Sequence, residues 1–438
     1  MSVIIEINMS MQRDQCKINR ALLFCFFILI PAGLAAQEAD LETGWKADPY
    51  VVKDYEEARP GFIWRETEVP DYTLPDPLLR EDGGKVENIV QWQEQRKVLL
   101  DMLRSKMYGR SPGLPEELKF HVTRELRTAM DGEATLRRIS IESRNLGKQH
   151  DFELILFLPN EVKKPVPVFL LMNNRPEDNT DPTREDKSDF WPAEEVIARG
   201  YGVAAIQNSS LAPDDTELFV EGIIGLFKGD AANDHSADAW GAISAWSWGA
   251  MRVMDYFETD DDVDESRIVL LGHSRGGKAS LWAGAQDERF ALVISNQSGS
   301  GGAALSRRRF GEDITALNRF THWFNNHFKK YNEQEDQIPF DQHFLISLIA
   351  PRAVYIGSAD KDLWADPRGE YLSLVHASPV FSLWNHTPMS PNRMPALNTQ
   401  VINGPRAYHV RSGRHNLTLS DWNHYMNFAD TLWPTRNR

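Results

Sequence analysis

An apolar run leads directly into a serine flanked by glycines, and this junction constrains the fold more than any other feature of the chain. Residues 268–271 are apolar, 272–276 read Gly-His-Ser-Arg-Gly, and 279–285 have the composition of a helix. A serine held clear of a sheet on a tight strand-to-helix turn needs a glycine two residues to either side, because that turn is strained and crowded. The spacing therefore predicts a nucleophile elbow with Ser274 at its tip.

The order of strand patterns around this elbow predicts an α/β-hydrolase fold. Segments with a hydrophobic period of two indicate antiparallel strands joined by turns at 131–132 and 145–147; they are 120–123, 134–141 and 152–158. Continuous apolar runs, as in parallel strands buried on both faces, follow and are separated by helical stretches; they are 166–172, 203–206, 268–271, 292–295 and 353–356. This order predicts a three-layer α-β-α sandwich whose central sheet is mostly parallel.

The N-terminal residues predict export, then an extended arm, then one catalytic domain. Residues 1–36 combine a basic start, an apolar stretch at 21–30 and a small-residue cleavage site, which is the pattern of a signal peptide. Residues 37–85 are rich in Pro, Asp and Glu without a sustained period, so we expect an extended arm with no catalytic group. Residues 86–438 are predicted to form the α/β-hydrolase domain, with 378–405 as a long loop. We expect a secreted or periplasmic bacterial protein.

Composition argues against several classes of partner. The 63 acidic residues outnumber the 48 basic residues, and clustered cations that would neutralise nucleic-acid phosphates are lacking. Both cysteines, Cys16 and Cys25, lie in the predicted signal, so disulfides have no role in the mature protein. The histidines show no metal-ligand spacing. We therefore expect no nucleic acid, no membrane association after cleavage, no metal and no cofactor, and we expect a monomer.

Three motifs together resemble the bacterial glucuronoyl esterases, which form carbohydrate esterase family 15 of the α/β-hydrolase superfamily. They are Gly-His-Ser-Arg-Gly-Gly-Lys at 272–278, Ser-Gly-Ser-Gly-Gly at 298–302 and Asp-Leu-Trp-Ala-Asp-Pro at 362–367. The resemblance covers nearly all of the mature chain. It implies hydrolysis of esters that join the carboxyl group of 4-O-methyl-glucuronic acid on xylan to lignin alcohols.

The same resemblance implies roles for individual residues. Ser274 would be the nucleophile, and Arg275 would join the oxyanion hole, where a guanidinium adds a full charge. Lys278, Glu312 and Trp364 would contact the sugar, whose hydroxyls and apolar ring face suit these side chains. Without the resemblance, the favoured interpretation of these last three residues is that they are ordinary solvated or half-buried side chains.

The general base should follow the acid in chain order, as it does in this fold. His415 fits best, because it lies in a loop between a predicted last strand, 406–410, and a final helix. His409 falls within that strand and His424 within the helix, where packing roles are expected. The family pattern of a histidine followed six residues later by Asp-Trp also matches His415.

The acid is left open between two aspartates, because the chain departs from part of the family at Gln297. Many members carry a glutamate there, and an amide can orient an imidazole but cannot stabilise its positive charge. Asp360, Asp362 and Asp366 follow the apolar run 353–356. Asp362 matches the second acidic position of the family and is favoured, with Asp360 as the alternative. Asp366 precedes a proline and is interpreted as a turn residue, and Gln297 is assigned to substrate binding.

The resulting hypothesis is acyl transfer through Ser274, His415 and Asp362, with a glucuronoxylan or other uronic-acid ester as substrate. Two alternatives stay open. One is an acetyl xylan esterase or another carbohydrate esterase that uses the same triad. The other is an inactive carbohydrate-binding homologue, suggested by Gln297.

Overall fold

A mixed sheet forms the centre of the fold. The computed structural model describes residues 44–227 and 236–433, and ten strands of this part of the chain belong to the sheet. In chain order they are β1 (Glu117–Ala129), β2 (Ala134–Asn145), β3 (Lys148–Pro159), β4 (Val166–Asn173), β5 (Gly202–Gln207), β6 (Val263–His273), β7 (Leu292–Asn296), β8 (Ala353–Ala359), β9 (Thr399–Asn403) and β10 (Arg406–Arg411). The predicted signal peptide, 1–36, lies outside the described residues.

The strand order confirms the predicted α/β-hydrolase fold. It is β1-β2-β3-β5-β4-β6-β7-β8-β10-β9. β1, β2, β3 and β5 pair antiparallel, whereas β5, β4, β6, β7, β8 and β10 form a parallel series. The five predicted apolar runs lie within β4 to β8, and the predicted turns join β1 to β2 and β2 to β3. The elbow, the loop after β8 that carries the candidate acids, and the loop after β10 that carries His415 consequently lie at the carboxyl edge of the parallel strands.

Helices cover both faces of this sheet. They are α1 (Pro49–Ala58), α2 (Ile89–Leu103), α3 (Ala193–Ala198), α4 (Asn208–Leu211), α5 (Ile223–Phe227), α6 (Ala242–Phe257), α7 (Arg275–Gln286), α8 (Ile314–Leu317), α9 (Gln342–Ser347), α10 (Pro367–Phe381) and α11 (Leu419–Leu432). Alternate residues of one strand enter different cores, because successive side chains point to opposite faces. Leu170 of β4 packs in the core that contains Trp282, whereas Leu171 packs in the core that contains Trp422.

The prediction of one long loop at 378–405 is wrong at both ends. α10 continues to Phe381, and Thr399–Asn403 forms β9, which pairs antiparallel with β10. β9 is an edge strand that is only partly buried, so its sequence lacks the apolar run that marks the central strands. The turn predicted at Asp366 is instead the start of α10, where its side chain accepts a hydrogen bond from the Gly369 amide.

The described part of the predicted arm, residues 44–85, packs against the edge where the parallel strands end. It contains α1, which begins after Asp48, whose side chain accepts a hydrogen bond from the Tyr50 amide. Val52 and Trp64 form a small apolar cluster with Phe310 and Leu363. In the part of the chain that the structure describes, no helix has both the length and the apolar character needed to cross a bilayer.

Candidate active site

Ser274 occupies a strained position between β6 and α7. Its φ is 57° and its ψ is −128°, a conformation that L-residues rarely adopt. The neighbouring glycines are required by close backbone contacts: a Cβ on Gly272 would lie 2.0 Å from the carbonyl oxygen of Gly276. The Ser274 amide also donates to the carbonyl oxygen of Asn296 in β7. The elbow is thus built from backbone contacts that leave the serine side chain at its tip.

A cavity of about 430 Å³ opens above this serine. Every residue predicted from the sequence to belong to the site lines it: Ser274, Arg275, Lys278, Gln297, Glu312, Asp362, Trp364 and His415. These side chains come from segments separated by as many as 141 positions, the difference between 415 and 274. The fold therefore brings the proposed reacting groups and the proposed sugar contacts into one space.

The imidazole of His415 is paired with a buried carboxylate. Its Nδ1 lies 2.6 Å from Oδ2 of Asp362, whose side chain is 3% exposed, and this hydrogen bond leaves Nε2 available to the serine. Asp360, the alternative acid, instead accepts a hydrogen bond from the Gly413 amide. Among the described residues no hydrogen bond joins Ser274 Oγ to the imidazole, a contact that commonly tightens only when substrate binds. Of the two aspartates left open, Asp362 is the one in contact with His415.

Gln297 holds the loop that carries the imidazole. Its amide nitrogen donates to the Asn416 carbonyl oxygen at 2.9 Å, and its amide oxygen accepts from the Asn416 N–H at 3.0 Å. Arg411 donates to the same carbonyl oxygen at 2.6 Å. Both polar atoms of Gln297 are thus occupied by the backbone beside His415, although the side chain also lines the cavity.

A second histidine lies against the proposed base. The ring centroids of His273 and His415 are 4.5 Å apart. Complete burial is the main cause that lowers the pKa of His273 well below its usual value, and the charge of the neighbouring His415 is the second cause. Its Nδ1–H donates to the Asn296 amide oxygen at 2.6 Å. His273 is therefore neutral, so a proton taken up by His415 meets no second positive charge on this ring.

The proposed sugar contacts include a buried ion pair. The Lys278 ammonium donates to the carbonyl oxygens of Ser298 and Ser300 and lies 3.2 Å from Glu312. Lys278 is 3% exposed and Glu312 is 9% exposed, so the alternative interpretation of these two as solvated surface residues is wrong. At a cavity wall, the ammonium of such a pair can donate a hydrogen bond to a ligand hydroxyl, and the carboxylate can accept one from it. Trp364 is half-buried beside them.

Two further residues of the cavity come from the N-terminal segment, and sequence reasoning missed both. Tyr55 of α1 donates its hydroxyl hydrogen bond to the Lys361 carbonyl oxygen. The Arg59 guanidinium lies 4.1 Å from the centroid of the Trp364 ring. Both residues line the cavity. Only the aromatic content of this segment signals such a role, because its contacts are made with residues about 300 positions away in sequence.

A stacked aromatic pair lines another wall and was also missed. The rings of Phe320 and Trp323 are 4.0 Å apart with an interplanar angle of 8°. Phe320 is 43% exposed, whereas Trp323 is buried. The Lys278 ammonium lies 5.8 Å from the Trp323 ring, so this wall adjoins the buried ion pair.

Arg275 is fixed in place. Its Nη2 donates to the Asn174 carbonyl oxygen at 3.0 Å, and its Nε is ion-paired with Asp214. Its backbone N–H belongs to the first turn of α7, where amides have no acceptor within the helix. That amide and the guanidinium can both face an oxyanion, and the positive end of the α7 dipole adds to them.

Two buried carboxyl groups support the loops of the site. Burial raises the pKa of Glu370 to about 8, although its oxygens accept from Ser358 Oγ at 2.6 Å and from the Gly299 amide at 3.0 Å. Burial would also raise the pKa of Asp421, but His409 and Arg411 together lower it to about 2. Glu370 thus braces the loop after β7, and Asp421 braces the loop that follows β10. Across residues 44–227 and 236–433, no cluster of three or more His, Cys, Asp or Glu side chains is arranged to hold a metal ion.

Comparison with known sequences gives a consistent family. Residues 141–384 match the family model described as "Glucuronyl esterase, fungi". The chain is 39% identical over 420 residues to carbohydrate esterase MZ0003 from an unknown prokaryotic organism, covering 89% of this chain and 95% of that protein. It is 26% identical to a 4-O-methyl-glucuronoyl methylesterase of Schizophyllum commune, covering 70% of this chain and 72% of the relative.

Solved structures agree with the sequence relatives. A glucuronoyl esterase from Solibacter usitatus is 38% identical and superposes with a TM-score of 0.78, covering 84% of this chain and 100% of that one. A promiscuous CE15 esterase from a marine bacterial metagenome is 40% identical, with a TM-score of 0.77 over 84% of this chain and 99% of the other. The resemblance predicted from the elbow and its two companion motifs is confirmed. The chain belongs to the glucuronyl esterase family of carboxylic ester hydrolases.

Proposed function

We propose that this glucuronoyl esterase hydrolyses esters of 4-O-methyl-glucuronic acid that join xylan to lignin alcohols, with Ser274 as nucleophile, His415 as base and Asp362 as acid. One observation carries the proposal. The His415–Asp362 pair and the buried Lys278–Glu312 pair line the same cavity as the serine. Nucleophilic chemistry and recognition of a hydroxylated acyl group are thus available at one place.

The proposed reaction has two steps. His415 Nε2 takes the proton of Ser274 Oγ, which attacks the ester carbonyl carbon, and the protonated imidazole then gives that proton to the departing alcohol oxygen. Water, activated by His415, cleaves the acyl-enzyme ester, restores the serine hydroxyl and releases the uronic acid. Asp362 stabilises the imidazolium in both steps, while Arg275 and the backbone N–H groups hold the oxyanion.

Recognition of the acyl group follows from the lining of the cavity. Lys278 can donate to sugar hydroxyls and Glu312 can accept from them, whereas the Trp364 ring suits the apolar face of a pyranose. Gln297 also lines the cavity and is proposed as a further contact of the substrate. Relatives named 4-O-methyl-glucuronoyl methylesterases support a uronic-acid ester as the substrate class.

The test compares two esters. Benzyl glucuronate carries the proposed acyl group, and p-nitrophenyl acetate carries the acyl group that an acetyl xylan esterase would prefer. We expect a higher kcat/KM for the glucuronate and loss of turnover in Ser274→Ala. A strong preference for the acetate would overturn the substrate assignment, and turnover that survives in Ser274→Ala would overturn the mechanism. Binding of the sugar without any turnover would identify an inactive homologue.

We further propose that the chain is exported to the periplasm or medium and acts as a monomer. The predicted division is a signal peptide at 1–36, an arm at 37–85 and a catalytic domain at 86–438. N-terminal sequencing of the exported protein should give a start near residue 37, and light scattering should give the mass of one chain. An uncleaved N-terminus or a dimer mass would contradict these assignments.

A further inference from the structure

Asp214 lies behind the oxyanion arginine, where three side chains converge on its carboxylate. Its Oδ2 is ion-paired with Arg275 Nε. Its Oδ1 accepts from the Trp323 indole N–H at 2.7 Å and lies 2.8 Å from His322 Nε2. No motif or spacing singles this residue out, because it lies between α4 and α5 at a distance of about 60 positions from the elbow.

The contacts of Arg275 fix the direction of its guanidinium group. A guanidinium has five N–H donors in a rigid plane, so contacts at two of its nitrogens set the orientation of the whole group. In Arg275, Nε is ion-paired with Asp214 and Nη2 donates to the Asn174 carbonyl oxygen. The remaining N–H groups therefore have a defined direction, and Arg275 lines the cavity above Ser274.

The other partners of Asp214 belong to a firmly held segment. The carbonyl oxygens of His322 and Trp323 accept from the Ala242 and Ile243 amides, in the first turn of α6, at 2.8 and 3.4 Å. Trp323 is 6% exposed and its ring lies beside the Lys278 ammonium. Asp214 is thus anchored on one side to the wall of the sugar cavity and holds Arg275 on the other.

The carboxylate has reason to stay charged. Burial raises the pKa of Asp214, but the hydrogen bond from His322, the charge of Arg275 and the hydrogen bond from Trp323 together bring it below its usual value. An ionised carboxylate pairs with a guanidinium more strongly than a neutral group does. The position of the Asp214 carboxylate and its negative charge therefore both favour its ion pair with Arg275.

We propose that Asp214 is a positioning residue that aims the Arg275 guanidinium at the developing oxyanion and ties that aim to the Trp323 wall of the acyl-binding cavity. This inference rests on the proposed function, because it takes Arg275 as an oxyanion donor. Asp214 does not line the cavity above Ser274, so its effect on the reaction would act through Arg275. Its removal should slow the chemical step and leave binding of the acyl group nearly unchanged.

The test is a double-mutant cycle with Asp214→Ala and Arg275→Ala, measured as kcat and KM on benzyl glucuronate. Loss of one oxyanion donor costs about 10²–10³-fold in kcat, and a misdirected donor should cost a good part of that, about 10–10²-fold. We expect this fall in kcat for Asp214→Ala with little change in KM. In the Arg275→Ala background, Asp214→Ala should lower kcat no further, because the group it directs is gone.

Asp215→Asn is the matched control. Asp215 is the next residue of the same loop, and its Oδ1 accepts from the Glu217 and Leu218 amides, which an asparagine oxygen can still do. We expect its kcat to equal that of the wild type. Asp214→Asn keeps the size of the side chain and loses its charge, so it should reproduce most of the fall in kcat seen in Asp214→Ala. It replaces the alanine variant in the cycle if that variant folds poorly.

Two results would overturn the inference. One is a wild-type kcat in both Asp214 variants. The other is the same fold-loss on removing Asp214 with and without Arg275, which would show a general structural role. If wild-type protein does not cleave benzyl glucuronate, the proposed substrate fails; the cycle is then run on p-nitrophenyl acetate, which forms the same kind of oxyanion and tests Asp214 separately.

Discussion

Replacement of Asp362 by asparagine tests the proposed acid most directly. The Asp362 carboxylate is almost fully buried and lies 2.6 Å from His415 Nδ1. With an effective dielectric constant of about 20, unit charges about 4 Å apart attract by about 4 kcal/mol. At about 1.36 kcal/mol for each tenfold change, loss of this attraction to the imidazolium lowers kcat by roughly three orders of magnitude. An asparagine amide at this position could also donate to Nδ1 and so favour the wrong tautomer, which acts in the same direction.

The assay is steady-state hydrolysis of benzyl glucuronate, with thermal melting to establish that each variant is folded. We expect Asp362→Asn to lower kcat by about 10²–10⁴-fold with a modest change in KM. The matched control is Asp360→Asn, two residues away on the same loop. Asp360 accepts from the Gly413 amide, and an asparagine oxygen can replace that acceptor, so its kcat should stay close to that of the wild type.

The outcome separates the two candidate acids. A nearly silent Asp362→Asn would refute the reasoning, because a buried carboxylate in contact with the imidazole cannot be both the triad acid and dispensable. A large loss in Asp360→Asn with little loss in Asp362→Asn would transfer the role to Asp360. Equal large losses with lowered melting temperatures would indicate damage to the loop.

Glu370→Gln should flatten the pH dependence of stability. Because burial raises the pKa of Glu370 from 4.5 to about 8, its contribution to the free energy of unfolding is full below about pH 4.5 and is lost as pH rises through 8. Thermal melts from pH 5 to 9 measure this dependence, and the same slope in the variant as in the wild type would contradict the prediction. Asp421→Asn leaves buried Arg411 without a carboxylate and should lower the free energy of unfolding by about 3–5 kcal/mol; denaturant titration checks this, and an unchanged midpoint would contradict it. Gln297→Ala removes both hydrogen bonds to Asn416, and we expect it to lower kcat less than Asp362→Asn does. If both variants lose kcat to the same extent, Gln297 is as important for the reaction as the proposed acid, and this prediction is wrong.

The elbow and the central strands could be predicted from the sequence because their determinants are local. Glycine spacing reports the crowding at Gly272, and continuous apolar runs report burial on both faces of β4 and β7. β9 was missed for the matching reason: an edge strand has one partner and a partly exposed surface, so it needs no apolar run. Continuous apolar runs therefore identify strands buried on both faces, whereas an exposed edge strand needs another signal, such as the period of two at 120–123 in β1.

The rest of the site depends on contacts between distant segments. Arg59 meets Trp364, and Tyr55 meets the backbone at Lys361, 306 positions away, so no periodicity within the arm could indicate either contact. The choice between Asp360 and Asp362 was open for a related reason. Both follow β8 in the same loop, and only the path of the loop decides which carboxylate reaches the imidazole.

The environment of His415 explains how the chain can carry an amide where part of the family has a glutamate. The neighbouring ring, His273, is neutral because burial lowers its pKa, and Gln297 adds no charge and is engaged with the Asn416 backbone. The imidazolium of the proposed mechanism would thus meet the carboxylate of Asp362 without a competing cation on the adjacent ring. A glutamate at position 297 would place a carboxylate oxygen against the Asn416 carbonyl oxygen, where the amide now donates, and buried acceptors facing one another are unfavourable. In this chain, the two polar atoms of Gln297 hold the backbone beside His415, and in the proposed mechanism the negative charge comes instead from Asp362 in the loop after β8.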